Sequence, residues 1–234
     1  MEKFTDRTAA LLGEEKLHKL SSCKAAVLGL GGVGSAAAEG LVRASVGELF
    51  LADNASVKLS NLNRQMIATH ATIDELKTEA AKERYLSINP DVKLTLYKDM
   101  LTPDTIDAIF DFKPDFIVDA IDNVTAKLAI AVRAKEEGIP LYMSMGTGGR
   151  LDPSQLRRGF IEDTRGTSCS LARVLRKELK KRGIEKLPVV YSLETPSKAV
   201  VDCENGRHPP SSSPFVPPCA GLLLASYAVD NYLK

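Results

Sequence analysis

The chain has 234 residues, of which 44% are hydrophobic and 26% are charged. This composition supports a substantial core, and the length alone permits one domain or two small ones. The net charge of +1 excludes a strong overall field for nucleic acid, so any affinity for RNA must come from a local patch. The N-terminus lacks an apolar leader, and the apolar run at residues 220–225 is too short for a bilayer of about 30 Å. We therefore expect a cytoplasmic protein without membrane contact.

A glycine-rich turn is the first strongly patterned segment. Residues 24–30 are typical of a buried parallel strand, and the alanine-rich residues 34–43 of a helix. Gly29 and three further glycines occupy the junction. We expect Gly31 to permit a tight turn, Gly32 to leave room for a phosphate, and Gly34 to let the helix pack closely on the strand. Because backbone N–H groups at a helix start bind anions, the turn predicts a nucleotide-phosphate site.

The next elements place polar side chains after this turn. A second strand at residues 47–53 ends in Asp53, where dinucleotide-binding folds hold a ribose. Arg64 follows in a loop, and a capping box at residues 72–75 predicts a helix that carries Lys77 in its first turns and ends near residue 89. An arginine and a lysine can stabilise negative charge that develops between the α and β phosphorus atoms of a triphosphate. Their order favours adenylation over hydride transfer.

Further along the chain, a strand brings a second carboxylate to the same edge of the sheet. We predict a strand at residues 92–97, a helix at 102–111 and an apolar strand at 115–120 that precedes Asp122. Because parallel strands end at a common edge, Asp122 is expected beside the glycine turn and Asp53. Asp122 is alternatively a helix-capping residue before Asn123, and both roles are compatible.

The pattern changes after residue 140 to shorter elements. We predict a strand at residues 141–145, short strands at 158–162 and 188–193, a helix at 169–182 between them, and a terminal helix at 216–233. The fold class is therefore α/β, a Rossmann-like, mostly parallel sheet with helices on both faces and a C-terminal extension that carries additional strands. We assign residues 1–234 to a single domain. Its nucleotide-binding core spans residues 1–150, and residues 151–234 form a substrate-side and dimerisation extension.

The four cysteines are widely separated and form no Cys-x-x-Cys pair, so the sequence predicts no zinc site. Cys23 at a strand start and Cys219 in an apolar helix are expected to pack in the core. Cys203 lies in a polar segment and is the best candidate for a reactive thiol, although nothing in the sequence lowers its pKa. Cys169 begins a predicted helix.

These motifs together resemble the adenylating domain shared by ubiquitin-activating enzymes and bacterial sulfur-carrier adenylyltransferases. The resemblance rests on the glycine turn, Asp53, the SNLNRQ segment at 60–65, Lys77 and the DAIDN segment at 119–123. Later segments resemble the tRNA threonylcarbamoyladenosine dehydratase branch; they are residues 145–155, 169–179, 191–196 and 215–221. The missing cysteine pairs also favour this branch, because many sulfur-carrier adenylyltransferases have a zinc site.

The resemblance implies roles for the matching residues. Asp53 would bind the ribose, Arg64 and Lys77 the phosphates, and Asp122 a magnesium ion bound with ATP. Further nucleotide contacts would come from Gly29, Gly31, Gly32, Gly34, Asn61, Gln65 and Asn123. Arg7 matches a catalytic arginine that in the superfamily reaches into the partner subunit's site, which implies a homodimer. The resemblance also implies an alkali metal ion, Na or K. A sulfur-mobilising protein is a further possible partner.

The implied reaction activates the carboxylate of the threonylcarbamoyl group on the adenosine beside the tRNA anticodon. Attack on the α phosphorus of ATP gives an acyl adenylate and pyrophosphate, and ring closure by the carbamoyl group then releases AMP. The alternative is an adenylyltransferase that activates the C-terminus of a ubiquitin-like sulfur-carrier protein. A third possibility is a nucleotide-binding scaffold without catalysis, which the joint presence of Arg7, Arg64, Lys77 and Asp122 disfavours.

Two segments of the extension have open roles. The helix residues 173–182 carry most of the positive charge of this half, which fits a solvated amphipathic helix or a contact to tRNA phosphates through residues such as Lys180 and Lys181. Residues 197–214 are rich in proline and serine, and we expect a loop that is mobile or ordered by a ligand. His208 within it is interpreted as a solvated loop histidine.

Overall fold

The structure is a computed structural model that describes residues 2–197 and 211–234. Seven strands form one sheet in the order β3-β2-β1-β4-β5-β7-β6. The strands are β1 Lys24–Leu28, β2 Glu48–Ala52, β3 Lys93–Tyr97, β4 Phe116–Asp119, β5 Leu141–Ser144, β6 Leu156–Phe160 and β7 Pro188–Ser192. Every neighbouring pair is parallel except β6 and β7, which are antiparallel. The predicted fold class is confirmed.

Helices connect the strands and cover both faces of the sheet. They are α1 Asp6–Leu12, α2 Glu14–Ser21, α3 Gly34–Arg43, α4 Lys77–Ile88, α5 Asp107–Asp111, α6 Val124–Glu137, α7 Ser170–Lys181 and α8 Val216–Tyr232. Short 3₁₀ helices span Leu59–Asn61, His70–Thr72, Pro153–Gln155 and Ile161–Thr164. The central strands are short runs buried on both faces, as expected for a parallel sheet between two helical layers.

The core divides into two layers because successive side chains of a strand point to opposite faces. On β1, Ala25 and Val27 pack with residues of α3, α4 and α8, whereas Ala26 and Leu28 pack with residues of α5, α6 and α7. The predicted terminal helix therefore packs on the sheet. Gly221 of α8 lies so close to α3 that an added Cβ would be 2.1 Å from the carbonyl oxygen of Val33.

Two predicted helix starts are wrong. The capping box at residues 72–75 does not begin α4: Thr72 ends a 3₁₀ helix, where its Oγ1 accepts the N–H of Thr69 at 2.9 Å, and α4 begins at Lys77. Likewise, α5 is the single turn Asp107–Asp111, because Thr102 and Thr105 bond to each other in the preceding loop. In both segments, local threonine hydrogen bonds stabilise a turn in place of a longer helix.

The C-terminal elements are shifted slightly from their predicted positions. The strand expected at residues 158–162 is β6 at Leu156–Phe160, and α7 begins one residue after its N-cap, Cys169, whose Sγ accepts the N–H of Ala172 at 3.4 Å. Cys219 is exposed, so its predicted packing role is wrong, whereas Cys23 is buried as expected. Burial raises the pKa of the Cys23 thiol to about 12. Cys203, His208 and most of the predicted loop lie outside the described residues.

Candidate active site

A cleft of about 540 Å³ opens where β1, β2 and β4 end. Ligands of open α/β sheets bind at this edge because the strand order reverses there and helix N-termini face the crevice. The cleft contains every predicted site residue except Arg7 and Gly34. These lining residues are Gly29, Gly31, Gly32, Asp53, Asn61, Arg64, Gln65, Lys77, Asp122 and Asn123. The structure thus brings together residues that are far apart in the sequence.

The glycine turn is shaped mainly by its first and last glycines. Gly29 has φ +84°, and Gly34 lies so close to it that an added Cβ would be 1.6 Å from the carbonyl oxygen of Gly29. The predicted close packing at Gly34 is confirmed. A Cβ at Gly31 would meet no atom of the described residues within 4 Å, whereas one at Gly32 would lie 2.9 Å from the Cβ of Pro217. The residue with positive φ in this turn is Gly29, although Gly31 was expected to permit the tight turn. The residue with open space beside it is Gly31, although Gly32 was expected to leave room for a phosphate.

Asp53 connects the glycine turn to the start of α4. Its Oδ2 accepts the N–H of Leu30 at 2.7 Å and lies 3.6 Å from the Nζ of Lys77, while Oδ1 accepts the N–H of Ala55 at 2.9 Å. Both side chains are largely buried, with exposed fractions of 10% for Asp53 and 12% for Lys77. Each carboxylate oxygen keeps a further acceptor site, so Asp53 can still accept hydrogen bonds from a ligand hydroxyl.

Arg64 is held at the opening of the cleft by its own loop. Its Nη1 donates to the carbonyl oxygen of Ser60 at 3.0 Å and to Oδ1 of Asn63 at 2.9 Å. The other guanidinium nitrogens make no hydrogen bond to the described part of the chain, so donors of the arginine fork are available for an anion. Gln65 is buried beside it, and its Oε1 accepts no hydrogen bond from the described residues. The Oδ1 of Asn61 closes the loop by accepting the N–H of Lys58.

Asp122 presents a solvated carboxylate to the cleft. Among the described residues, the carboxylate has no hydrogen-bond or ion-pair partner, and no group of three His, Cys, Asp or Glu side chains is placed to hold a metal ion. A single carboxylate fits Mg²⁺, which is held in such sites by one or two carboxylates, waters and substrate phosphates. Asn123 is the N-cap of α6, since its Oδ1 accepts the N–H of Ala126 at 3.0 Å. The capping role considered for Asp122 therefore belongs to Asn123.

A fully buried ion pair lies beneath this edge, and the sequence did not predict it. Lys127 Nζ is 3.1 Å from Oδ1 of Asp119 and donates to the carbonyl oxygen of Ser144 at 3.3 Å. Burial raises the pKa of Asp119 and lowers the pKa of Lys127, and the attraction between the two groups opposes both shifts. The signal that could have revealed the pair is a lysine on a helix face otherwise rich in alanine and leucine, one helical turn after the DAIDN segment.

The loop after β5 forms another wall, through Thr147 and Gly148. Arg150 is 3% exposed and braces this loop, because its Nη1 donates to the carbonyl oxygens of Gly146 at 2.8 Å and Gly148 at 3.0 Å. Its Nε donates to the carbonyl oxygen of Glu194 at 3.0 Å. The sequence marked residues 145–155 and 191–196 as motif segments, and the structure places them in contact.

Arg7 lies outside the cleft of its own chain. It is exposed on α1, a helix without buried residues. The exposed side chains of Phe4 and Leu11 lie on the same N-terminal segment, with exposed fractions of 53% and 82%. In the described chain, no helix combines the length and the apolar character needed to cross a bilayer.

The fold and the cleft define a nucleotide-binding protein of the doubly wound α/β class, with an anion-binding turn and a solvated carboxylate at one edge. The chain belongs to the ThiF family, whose pattern matches residues 5–213. The resemblance inferred from the motifs is therefore confirmed.

The relatives of this chain separate the two branches considered from the sequence. A tRNA threonylcarbamoyladenosine dehydratase from Bacillus subtilis is 35% identical, over 97% of this chain and 94% of the relative. The crystal structure of the tRNA N6-threonylcarbamoyladenosine dehydratase of E. coli in complex with ATP is 31% identical, with a TM-score of 0.86 over 97% of this chain and 92% of that one. A sulfur carrier protein ThiS adenylyltransferase from E. coli is 37% identical over 57% of this chain and 54% of its own.

Proposed function

We propose that the protein is an ATP-dependent tRNA threonylcarbamoyladenosine dehydratase. The observation that carries this proposal is the convergence of the glycine turn, Asp53, Arg64, Lys77 and Asp122 in one cleft of a chain that matches a dehydratase over nearly its whole length. The match extends through the C-terminal third, which lines the cleft with Ser211, Ser212 and Pro217. A cytoplasmic location follows from a tRNA substrate.

ATP would occupy the cleft with its phosphates against the glycine turn. The N-terminus of α3 provides backbone N–H groups and a positive dipole end, and Gly31 leaves the space that a phosphate needs. Asp53 would accept hydrogen bonds from the ribose hydroxyls. Arg64 and Lys77 would neutralise the phosphate oxygens, since both cations lie in the wall of the same cleft.

Asp122 would hold a magnesium ion together with the phosphates of ATP. The ion would supply Lewis-acid stabilisation of the charge that develops on the leaving pyrophosphate. The donor set of this chain suits that role, because Asp122 offers an unshared, solvated carboxylate, whereas Asp119 is already committed to Lys127. Asn123 positions the start of α6 and thereby the loop that carries Asp122.

The reaction would proceed in two steps with no enzyme nucleophile. The threonyl carboxylate attacks the α phosphorus of ATP, the bond to the bridging oxygen breaks, and pyrophosphate leaves with the charge stabilised by Arg64 and Lys77. The neighbouring carbamoyl group then attacks the activated carbonyl and loses a proton, and AMP leaves. The product is the ring-closed nucleoside, with the oxygen of the lost water carried away on AMP. The ring closes readily because nucleophile and electrophile belong to one molecule.

A homodimer would complete the site through Arg7. The exposed α1 presents Arg7 beside the apolar side chains of Phe4 and Leu11, and such side chains are favoured at interfaces between subunits. In this arrangement, Arg7 of one protomer would reach the phosphates bound by the other. A mixed dimer made from an Arg7→Ala chain and an Arg64→Ala chain would then retain one intact site, and its partial activity would support the arrangement.

The decisive assay uses ATP, magnesium and tRNA that carries threonylcarbamoyladenosine, followed by mass analysis of the nucleosides. We expect the modified adenosine to lose one water, and Arg64→Ala to slow this loss by about 10²–10³-fold, because it removes a charge-stabilising donor. Arg133→Ala is the control, since Arg133 lies on the exposed side of α6 next to Glu137. Pyrophosphate exchange that depends only on a small carrier protein, without water loss from tRNA, would contradict the proposal.

A further inference from the structure

A second groove, about 580 Å³ in volume, lies between α7 and the 3₁₀ helix Ile161–Thr164. We call it the basic groove. Its cationic side chains are Arg165, Arg173, Arg176, Lys177, Lys180 and Lys186, and its carboxylates are Glu162, Asp163 and Glu185. A surface with twice as many cations as carboxylates stands out in a chain whose net charge is +1. In a chain of nearly neutral net charge, affinity for RNA would require a local basic patch of this kind.

Two of the three carboxylates of the groove accept hydrogen bonds from backbone N–H groups. Asp163 Oδ2 accepts the N–H of Phe160 at 2.7 Å, and Glu162 accepts the N–H of Lys186 at 3.3 Å. Among the described residues, no carboxylate oxygen lies within 4.0 Å of a cationic nitrogen of the basic groove. Arg176 is anchored, because its Nη1 donates to the carbonyl oxygen and the Oγ1 of Thr164. The remaining cations are available to an external anion.

The other side of α7 provides a contrast on the same helix. Glu178 Oε1 lies 2.7 Å from Lys181 Nζ, and its Oε2 lies 2.8 Å from Nη1 of Arg182. The hydrogen bonds from Lys181 and Arg182 lower the pKa of Glu178 to about 2. Lys181 and Arg182 are thus neutralised within the helix, so the charge cluster seen in the sequence divides into a paired side and an unpaired side.

The position of α7 links the basic groove to the cleft. The helix begins after Cys169, whose Sγ packs against Gly146 at the base of the loop that carries Thr147. Its twelve residues extend about 18 Å away from this point. Phe160 lies in the groove wall with 40% of its surface exposed. An exposed aromatic ring among cations is typical of surfaces that bind RNA, because rings stack on bases while cations contact phosphates.

We propose that the basic groove binds the phosphate backbone of the tRNA whose modified adenosine occupies the cleft. This inference rests on the proposed function for the identity of the RNA. Arg173, Lys177 and Lys180 supply the contacts along α7, and the exposed ring of Phe160 supplies a stacking surface in the groove wall. Lys181, considered a tRNA contact from the sequence alone, lies on the paired side and is excluded from this interface.

The test compares two variants that each remove two positive charges from α7. Arg173→Ala/Lys177→Ala removes unpaired cations of the groove, and Lys181→Ala/Arg182→Ala removes paired cations. Binding of purified bulk tRNA is measured by filter binding over a range of salt concentrations. The groove variant is expected to lower the slope of log K against log salt by roughly 1 for each phosphate that it no longer neutralises, whereas the paired-side variant keeps the wild-type slope. Equal slopes for both variants would overturn the proposal.

Steady-state dehydration kinetics distinguish this proposal from the proposed function. If the groove binds tRNA, the groove variant raises KM for tRNA at least tenfold and keeps kcat and ATP affinity, since neither residue lies in the cleft. If the wild-type protein binds tRNA through the groove but does not dehydrate it, the proposed function is contradicted and the groove is still supported as a tRNA-binding site. If the groove variant dehydrates tRNA with an unchanged KM, the proposal that the groove binds tRNA is contradicted and the proposed function is still supported.

Discussion

The cleft and the basic groove treat their charges in opposite ways. In the cleft, Asp53 is held by two backbone N–H groups and faces Lys77, and Arg64 is fixed by two acceptors of its own loop. In the basic groove, cations such as Arg173 and Lys177 have no carboxylate partner among the described residues. Both regions present positive charge to a proposed phosphate ligand, but of these side chains only Asp53 and Arg64, in the cleft, are held in place by hydrogen bonds to described residues.

This difference reflects the two tasks that phosphate contacts perform. Stabilising a transition state requires donors that are already in position, because reorganisation during the reaction costs catalytic free energy. Attracting a long polyanion requires only charge density, since its phosphates release counterions wherever cations lie close to them. The cleft therefore suits chemistry, and the groove suits substrate capture. Substitutions that alter the internal partners of a charge should affect the two regions unequally.

The largest effect on stability is expected beneath the cleft, at the buried ion pair. Lys127→Met leaves Asp119 without its partner at a fully buried position, and we expect the free energy of unfolding to fall by about 3–5 kcal/mol. Lys135→Met is the control, because Lys135 lies on the exposed side of the same helix. Denaturant titration followed by circular dichroism measures both variants.

A second substitution tests whether the cost comes from the unpaired carboxylate. Asp119→Asn combined with Lys127→Met removes both charges, and we expect it to restore part of the stability lost in the single variant. If the double variant is as unstable as the sum of the two single variants, the loss of packing around Lys127 explains the effect and the ion pair does not.

The next prediction compares Gly34, which the fold requires for close packing, with Gly31, beside which a ligand has space. Gly34→Ala would place a Cβ 1.6 Å from the carbonyl oxygen of Gly29, and we expect a loss of about 1–3 kcal/mol or more in the free energy of unfolding. The Cβ of Gly31→Ala would meet no atom within 4 Å in residues 2–197 and 211–234, so stability should change by less than about 0.5 kcal/mol.

The same pair gives opposite results in nucleotide binding. Gly31→Ala is expected to weaken ATP binding by about tenfold or more, which is about 1.4 kcal/mol, because the added methyl group occupies space proposed for a phosphate. Isothermal titration with ATP provides the measurement. Unchanged ATP affinity of a folded Gly31→Ala protein would mean that the phosphates do not approach this part of the turn.

The sequence predicted the sheet and the cleft because both depend on local signals that repeat along the chain. Apolar runs ended near the true strands, and the carboxyl-edge rule then placed Asp122 beside Asp53 and the glycine turn, where the cleft lies. Helix starts near Thr72 and Thr102 were wrong because side-chain hydrogen bonds between threonines compete with helical bonds, and sequence spacing does not decide between them.

Long-range pairing explains the remaining differences. The alanine- and leucine-rich helix face around Lys127 indicates a buried lysine, but the sequence does not single out Asp119 as its partner. Nothing near Arg150 indicates that its guanidinium meets the backbone at Glu194. The charge cluster on α7 was visible, and the spacing of Lys181 and Arg182 from Glu178 accounts for its paired side, but the groove along its other side depends on where Ile161–Thr164 packs. Such contacts are made by tertiary structure and leave no periodic pattern.

A smaller loss of stability than at Lys127 is expected at Glu39, whose side chain connects the two helices that begin at the cleft. Its carboxylate on α3 accepts hydrogen bonds from Arg84 of α4 at 2.6 Å and from Arg43 at 3.0 Å. Burial alone would raise the pKa of Glu39, but the bonds from Arg84 and Arg43 outweigh it and hold the pKa below its ordinary value of 4.5. We expect Glu39→Gln to lower the free energy of unfolding by roughly 1–2 kcal/mol near neutral pH.

The stabilisation contributed by the Glu39 carboxylate should depend on pH. Because the folded-state pKa lies below the unfolded one, the stabilisation is complete above the unfolded value and is lost as the pH falls through the folded value. The difference between wild type and Glu39→Gln should therefore shrink as the pH falls below the ordinary glutamate value of 4.5. Glu79→Gln on α4 removes an exposed pair with Lys98 and should change stability much less. A difference that stays constant over this range would show that Glu39 acts through packing, with no contribution from its charge.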